Sequence, residues 1–554
     1  MNGFCPIDAN PFTPKARVVL TQSMSLALVN GNVVTMNPSQ PRAEAVAVRD
    51  GRIAYVGSSE KAEKHCPEGR VLDLEGRTVL PGLIDSHVHL MELGLSMLSV
   101  DARGVQSISE LQDRVRGAVR NAKKGDWIIG RGWDQELLRE KRYPTRWDID
   151  EAAQSNPVVL VRTCSHASVA NSMALGKANL LAPRSVNGGR IETDSQGRPT
   201  GILFDSAMGE VFRATPSPSK ATLRKALLSA CDTALREGVT CIHFMSCTPR
   251  DFDVMQELRR RSELPVRIRV YFAADHLDDA VSSSMIRDRG NDMLRVSGVK
   301  IMLDGSLGAR TARLTRPYSD DPGNKGISLC SRRRLLDLLR KSRQMKLQAA
   351  VHVIGDEACA IALQALAAVW NDEAGLKQQR LEHASVLTGD LLRRMKRMRL
   401  KVSVQPQFIL SDFWVVERVG PRRARFVYAL HSLMDAGLTV AGGSDSPIER
   451  LSPFAGIYAA VTRGRFEGRE ILRHSEGERL TTEQALSLYT TNAASACMED
   501  SLMGSVQPGK YGDLAVVAED PTDVPLHRLK DLKVVMTVVA GKVAYSLRDE
   551  SINR

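Results

Sequence analysis

Nothing in these 554 residues has the make-up of a disulfide framework, a membrane span or a nucleic-acid groove. Nine cysteines are scattered from Cys5 to Cys497 with no C-x-x-C pair, and Cys231, Cys241 and Cys359 lie in apolar patterns. They read as reduced, mostly buried thiols of a cytosolic protein. No apolar run approaches the ~20 residues needed to cross a bilayer. The N-terminus also lacks a basic head followed by an apolar stretch and a cleavage site. A soluble, cytoplasmic protein with no membrane partner is therefore expected. Aromatic residues make up only 5% of the chain and do not interleave with the basic ones, so the net charge of +12 does not argue for a nucleic-acid partner. The arginines cluster instead at Arg259 to Arg261, Arg332 to Arg334 and Arg393 to Arg399, inside amphipathic helical patterns. Between Arg332 and Lys346 the inner side is carried by Leu335, Leu336, Leu338 and Leu339, so these clusters read as solvated outer faces.

What is present is a large apolar fraction, 43%, in a chain long enough for one large barrel and a smaller domain. Residues 1–23 show no periodicity and read as a loose arm. Residues 24–80 then carry short β-runs, with Asp50-Gly51 as a hairpin turn between alternating apolar residues. The same grammar returns in residues 501–546, with a second hairpin at Ala540-Gly541. Two β-rich ends around a long middle predict one small β-sandwich assembled from both termini.

In the middle, strand-like runs alternate with helical patterns, the signature of parallel βα units. After an opening strand that ends in Asp85, Ser86, His87, Val88 and His89 come VTCIHFM, VRIRVYFA, SGVKIML, LQAAVHV, QRLEHAS, KVSVQPQ and LTVAGGSDSP. That makes eight and predicts an α/β fold, a (β/α)8 TIM barrel over residues 81–90 and 226–500, with chemistry at the C-terminal strand ends. Residues 91–225 do not fit the count. They read as a subdomain inserted after the first strand, at the mouth, as a lid or substrate wall.

Strand alternation puts His87 and His89 on one face, a two-pronged metal grip. His352 closes LQAAVH, His383 closes QRLEH, and Asp445 follows Gly442-Gly443, so further candidate ligands fall at strand ends of the same barrel. Singly, each has a plainer role: a hydrogen-bonded core histidine, or, for Asp445, a helix cap before Ser446-Pro447. Lys300 stands inside an apolar strand, where an ammonium is costly to bury. It needs either an acidic partner or reaction of its neutral amine with carbon dioxide to give a carbamate that can bridge two metal ions. Its position among the other ligands favours the carbamate. Histidine nitrogen and carboxylate oxygen suit Zn2+ or a similar divalent ion.

Longer motifs support a named resemblance: GRTVLPGLIDSHVHL, GRGWDQ, YPTRWDID, RTCSHASVANSMAL, GRPTGIL, VKIMLDGSLGARTA, HVIGDEA, LEHAS and GGSDSP. Over about residues 25 to 546 the chain resembles the amidohydrolase superfamily, on the YtcJ-like branch related to N-substituted formamide deformylases. The resemblance implies one or two zinc ions. His87 and His89 match the ligands of the more buried metal, Lys300 matches the N6-carboxylated bridging lysine, and His352 and His383 match the ligands of a second. Asp445 matches the last-strand aspartate that binds metal and acts as general base.

His166, in SHASVANS, matches a histidine that reaches the active site as a substrate or oxyanion donor. Cys164-Ser165 precede it where relatives commonly carry Asp-Gly or Cys-Gly. Trp133, Asp134 and His243 are candidates for substrate contact. The implied reaction is hydrolysis of a small-molecule amide, of N-formyl or N-acyl type, by a metal-activated hydroxide, and the architecture is compatible with a homodimer. Two other readings stand beside it. One is a deaminase or cyclic amidase acting on a nucleobase-like ring, for which Asp356 and Glu357 after His352 would matter. The other is a non-catalytic barrel scaffold, in which ligands are normally lost, whereas all six are kept here.

Overall fold

The computed structural model describes residues 25–547, except 68, 163–166, 183, 187–188, 283–284 and 286–289. The N-terminal arm and His166 therefore lie outside the described residues. Asp50 and Gly51 both take positive φ, 52° and 76°, as do Ala540 and Gly541 at 49° and 75°, the turn conformation that matches strand twist in a tight hairpin. The two hairpins belong to two stacked sheets. The four-stranded sheet has the order Arg52–Gly57, Ala45–Arg49, Leu26–Val29, Arg70–Asp73. The six-stranded sheet interleaves the two ends of the chain: Lys542–Ser546, Val534–Val539, Leu514–Val517, Thr78–Pro81, Asn32–Val34, Arg42–Ala43. Alternate residues of both sheets, among them Leu28, Val46, Val48, Val79, Leu514, Val516 and Val538, fill the space between them.

From Thr78–Pro81 the chain passes through Gly82 directly into the barrel. A Cβ at Gly82 would sit 2.3 Å from Thr240 Oγ1, so only glycine lets the first two barrel strands approach there. The barrel strands are β1 (Leu83–Val88), β2 (Val239–Cys247), β3 (Arg267–Ala273), β4 (Leu294–Met302), β5 (Gln348–Val353), β6 (Arg380–His383), β7 (Lys401–Val404) and β8 (Thr439–Gly442). All are parallel and paired in sequence order. Between β8 and β1 the ring is joined by backbone contacts just past the strands: Asp445 N donates to His87 O at 2.7 Å, and His89 N to Ser446 O at 2.9 Å. Gly443 makes this approach possible, because a Cβ there would lie 2.6 Å from His87 N.

Beneath the barrel, Arg267 donates from Nε and Nη2 to Asp513 at 2.6 and 3.0 Å, tying the floor to the small sandwich. Arg269 and Arg295 share Glu499 at 2.7 and 2.6 Å. On the outer helix Arg332–Gln344, Leu335, Leu338 and Leu339 are buried and the arginines face solvent.

The helices Leu90–Met97 and Lys220–Arg236 pack together on the barrel, so the extra layer is contained within residues 98–219. It is a six-stranded sheet ordered Gly189–Thr193, Pro199–Asp205, Ala167–Ala170, Val158–Arg162, Ile128–Trp133, Val100–Asp101, with its own core around the helix Ile108–Arg120. Among the described residues no helix is long and apolar enough to cross a membrane.

Candidate metal centre

β1 presents Asp85 and His87 on its inner face, and His89 follows one residue past its end, at the N-cap of the helix Leu90–Met97. His87 is fully buried, and its Nδ1 donates to Glu382 Oε2 at 2.6 Å, which turns Nε2 towards the centre of the mouth. There Nε2 lies 3.0 Å from Lys300 Nζ and 3.2 Å from Asp445 Oδ1, and His89 Nε2 lies 3.1 Å from the same oxygen. His383 Nδ1 donates to Gln405 Oε1 at 2.6 Å. Its ring centroid is 4.8 Å from that of His87 and 4.4 Å from that of His352. His352 Nε2 faces Gly305 O at 3.1 Å, and its Nδ1 is buried with no hydrogen-bond partner among the described residues.

Two backbone departures bring these groups together. His383 ends a strand whose inward residues are Arg380 and Glu382, so plain alternation would turn it outward. Its φ of 69° redirects the chain, and its ring joins the inner cluster. Asp445, with φ 57°, is likewise left-handed just past β8. Non-glycine residues in that region cluster at functional sites, because a conformation that costs energy persists only where its surroundings impose it.

A cation suits this arrangement. His87 Nε2, His89 Nε2 and an Asp445 oxygen lie within 4.8 Å of one another, and Asp445 Oδ1 is buried without a well-directed hydrogen bond. His87 and His383 each have Nδ1 held by an outer oxygen and so offer Nε2; His352 offers Nδ1. Lone pairs that converge in a buried space repel unless a positive charge sits among them; the Lys300 ammonium, 3.0 Å from His87 Nε2, supplies one, and a divalent ion would supply it once that amine is neutral. The electrostatics agree. Burial pushes His352 down to about 3, helped by the Lys300 charge, and holds His383 well below its ordinary value, so both rings are neutral at pH 7, as ligands must be. Burial alone would raise the Asp445 carboxyl, but His87 and His89, whose Nε2 atoms face its Oδ1, hold it well below the usual carboxylate range. Beneath it, burial pushes Asp85 up to about 6, although its carboxylate accepts from the backbone of His87 and Ser444 and so fastens β1 to β8.

Burial also pushes the Lys300 ammonium down from 10.5 to about 8, against the opposing pull of Glu382 and Asp445. The unfolded chain keeps that proton up to about 10.5. The burial cost is therefore fully present below pH 8 and fades as pH rises from 8 to 10.5. At about 1.4 kcal/mol per pH unit the drop amounts to roughly 3 kcal/mol. Metal-free Lys300→Met is expected to melt above the metal-free wild type at pH 7, with the gap closing above pH 8. A gap independent of pH would mean that Lys300 does not carry this cost.

The six residues read from the sequence as ligands, His87, His89, Lys300, His352, His383 and Asp445, lie in this one cluster. Three other assignments need correction. Trp133 does not line the mouth: it is fully buried in the core of the inserted layer, donates to Leu160 O at 2.8 Å and packs edge-on against Tyr143. Asp134 pairs with Arg162 at 2.7 Å within that layer, which ties two of its strands together and leaves the carboxylate committed. His243 sits mid-strand, because β2 runs on to Cys247. Its Nδ1 accepts from Arg380 at 2.9 Å, one layer below the cluster.

Sequence reasoning passed over Arg380, Glu382, Gln405 and Asp304. Asp304 accepts from Arg313, Ile354 and Gly355 backbone N–H groups, which clamps the loops after β4 and β5 around His352. The signal for the first pair was available: Arg380 and Glu382 stand two apart in a four-residue run whose neighbours are buried.

An eight-stranded parallel barrel whose C-terminal mouth gathers histidines, a lysine and an aspartate is the architecture of a metal-dependent hydrolase. The chain belongs to the amidohydrolase family, whose model matches residues 70–545. It is 33% identical to YtcJ of Bacillus subtilis (strain 168), over 93% of this chain and 98% of that protein. With N-substituted formamide deformylase of Arthrobacter pascens it shares 28% identity, over 95% of this chain and 99% of that one. An uncharacterized metal-dependent hydrolase from Pyrococcus horikoshii superposes with a TM-score of 0.79 at 33% identity, covering 91% of this chain and 99% of that structure.

Proposed function

We propose that this protein hydrolyses a non-peptide C–N bond in a small molecule, an N-formyl or N-acyl amide, with a divalent ion that is Zn2+. The observation that carries the proposal is the convergence of the His87 and His89 ring nitrogens on the Asp445 carboxylate. His87, His89 and Asp445 would hold one ion, and His352 and His383 a second. Lys300 would stand between them, its neutral amine adding carbon dioxide and losing a proton to form a carbamate. A divalent ion in such a site supplies acidified water at neutral pH and polarises the substrate carbonyl.

The residues of the chain do the rest. Asp445, kept ionised, accepts a proton from the attacking water through Oδ1 and hands it to the leaving nitrogen, which departs poorly as an anion. His166, which the sequence resemblance matches to a substrate or oxyanion donor, is assigned the carbonyl oxygen. A cavity of about 620 Å³ opens beside His89; Met91, Leu95, Leu223, Phe244 and Met245 form an apolar part that suits an apolar substituent on the amide, and Glu92, Arg250, Asp251 and His276 help line the rest. The full-length similarity to a formamide deformylase supports the bond type. The seven described cysteines are free and buried, which suits the reducing cytoplasm.

Ring deamination is disfavoured by the acids after His352. Asp356 is committed to Thr315 and Glu357 to Arg313, so neither is free to shuttle a proton. The test is a panel of N-formyl amines, N-acyl amines and aminated heterocycles, assayed with Zn2+ restored. Formate or another carboxylate should appear with an equal amount of amine. Ammonia released from the heterocycles alone would refute the assignment.

A further inference from the structure

Below the cluster lies a buried chain of polar groups that the proposed chemistry does not use. Arg380, fully buried, sets Nε and Nη2 against the two Glu382 oxygens at 2.5 and 2.9 Å. The same guanidinium donates to Ser86 O and to His243 Nδ1, and lies 5.2 Å over the Tyr271 ring. Glu382, also fully buried, receives His87 Nδ1 at 2.6 Å. We infer that Arg380 and Glu382 are positioning residues that dictate which nitrogen His87 offers to the mouth, with His243 as the far anchor of the same relay.

The polarity of the bonds carries this. A guanidinium only donates, so His243 must accept at Nδ1 and hold its own proton on Nε2. Glu382, paired with Arg380, is an acceptor, so the His87 proton sits on Nδ1 and Nε2 is left as the acceptor atom, turned to Lys300 Nζ at 3.0 Å. Without Glu382 the proton has a competing site: Asp445 Oδ1 lies 3.2 Å from His87 Nε2 and would accept it there. That proton would occupy the direction a metal ion needs. The relay thus links β6, β2 and β1 across the barrel interior and sets the tautomer of a ligand, the role that outer carboxylates play at many metal sites. The inference rests on the metal centre proposed above.

Three measurements test it. In the stripped wild-type protein, histidine-selective 15N NMR should place the His87 proton on Nδ1; a proton on Nε2 overturns the relay. Glu382→Asp keeps the buried charges paired but withdraws the carboxylate from His87, and the double variant Arg380→Gln with Glu382→Gln removes both charges together. In whichever of these retains the melting midpoint of the metal-free wild type, Zn2+ affinity from chelator competition should fall about 10- to 100-fold. The visible spectrum of the Co2+ form should change with it. Unchanged affinity and spectrum in a folded variant overturn the relay while leaving the metal centre standing. Wild-type Zn2+ affinity in His87→Ala would remove the centre itself.

Discussion

Asp445→Asn should lower kcat/KM on the best amide of the panel by about 10²- to 10⁴-fold, the contribution of a positioned general base. Asparagine keeps the size and planarity of the side chain but neither carries charge nor accepts a proton at neutral pH. The left-handed backbone at this residue, φ 57°, tolerates asparagine as well as aspartate, so the fold should survive the change. Because Asp445 is also placed to hold the ion, the comparison belongs at saturating Zn2+ with bound metal counted, so that loss of the base and loss of the ion are separated. Since neighbouring imidazoles hold the wild-type carboxyl well below its ordinary range, that base remains available through mildly acidic pH. A fully loaded Asp445→Asn protein with wild-type kcat/KM would mean that the proton goes elsewhere.

His87→Ala should bind Zn2+ more weakly by more than the ~10- to 100-fold typical of an outer partner, and its activity should fall to background. His87 is the hub of the cluster: its Nε2 meets Lys300 and Asp445, and its Nδ1 holds Glu382. Removing the ring takes away a ligand and also the group that Glu382 serves, leaving a buried void at the mouth. Such large-to-small changes in a packed interior cost about 2–5 kcal/mol, so a lower melting midpoint is expected as well. Metal analysis after dialysis decides the matter. Wild-type metal content in a folded His87→Ala protein would end the assignment of β1 as a metal-binding strand.

The sequence by itself determined the periodic parts of this protein. Eight mostly apolar runs of β-length separated by helical patterns determine the barrel, because parallel strands buried on both faces read as near-continuous apolar runs, broken here only where inward polar residues build the site. Asp50-Gly51 marks its hairpin by turn chemistry, and strand alternation pairs His87 with His89. Tertiary structure alone decided what depends on neighbours distant in the chain. His383 reaches the cluster through a left-handed backbone that no residue pattern announces, and His243 is withdrawn because β2 continues past it. Trp133 turns inward because the inserted layer needs a core of its own. Arg380 and Glu382 take their meaning from His87, nearly 300 positions earlier. A side chain's periodicity is written locally, whereas its partner is set by where the closed sheet brings the strands together.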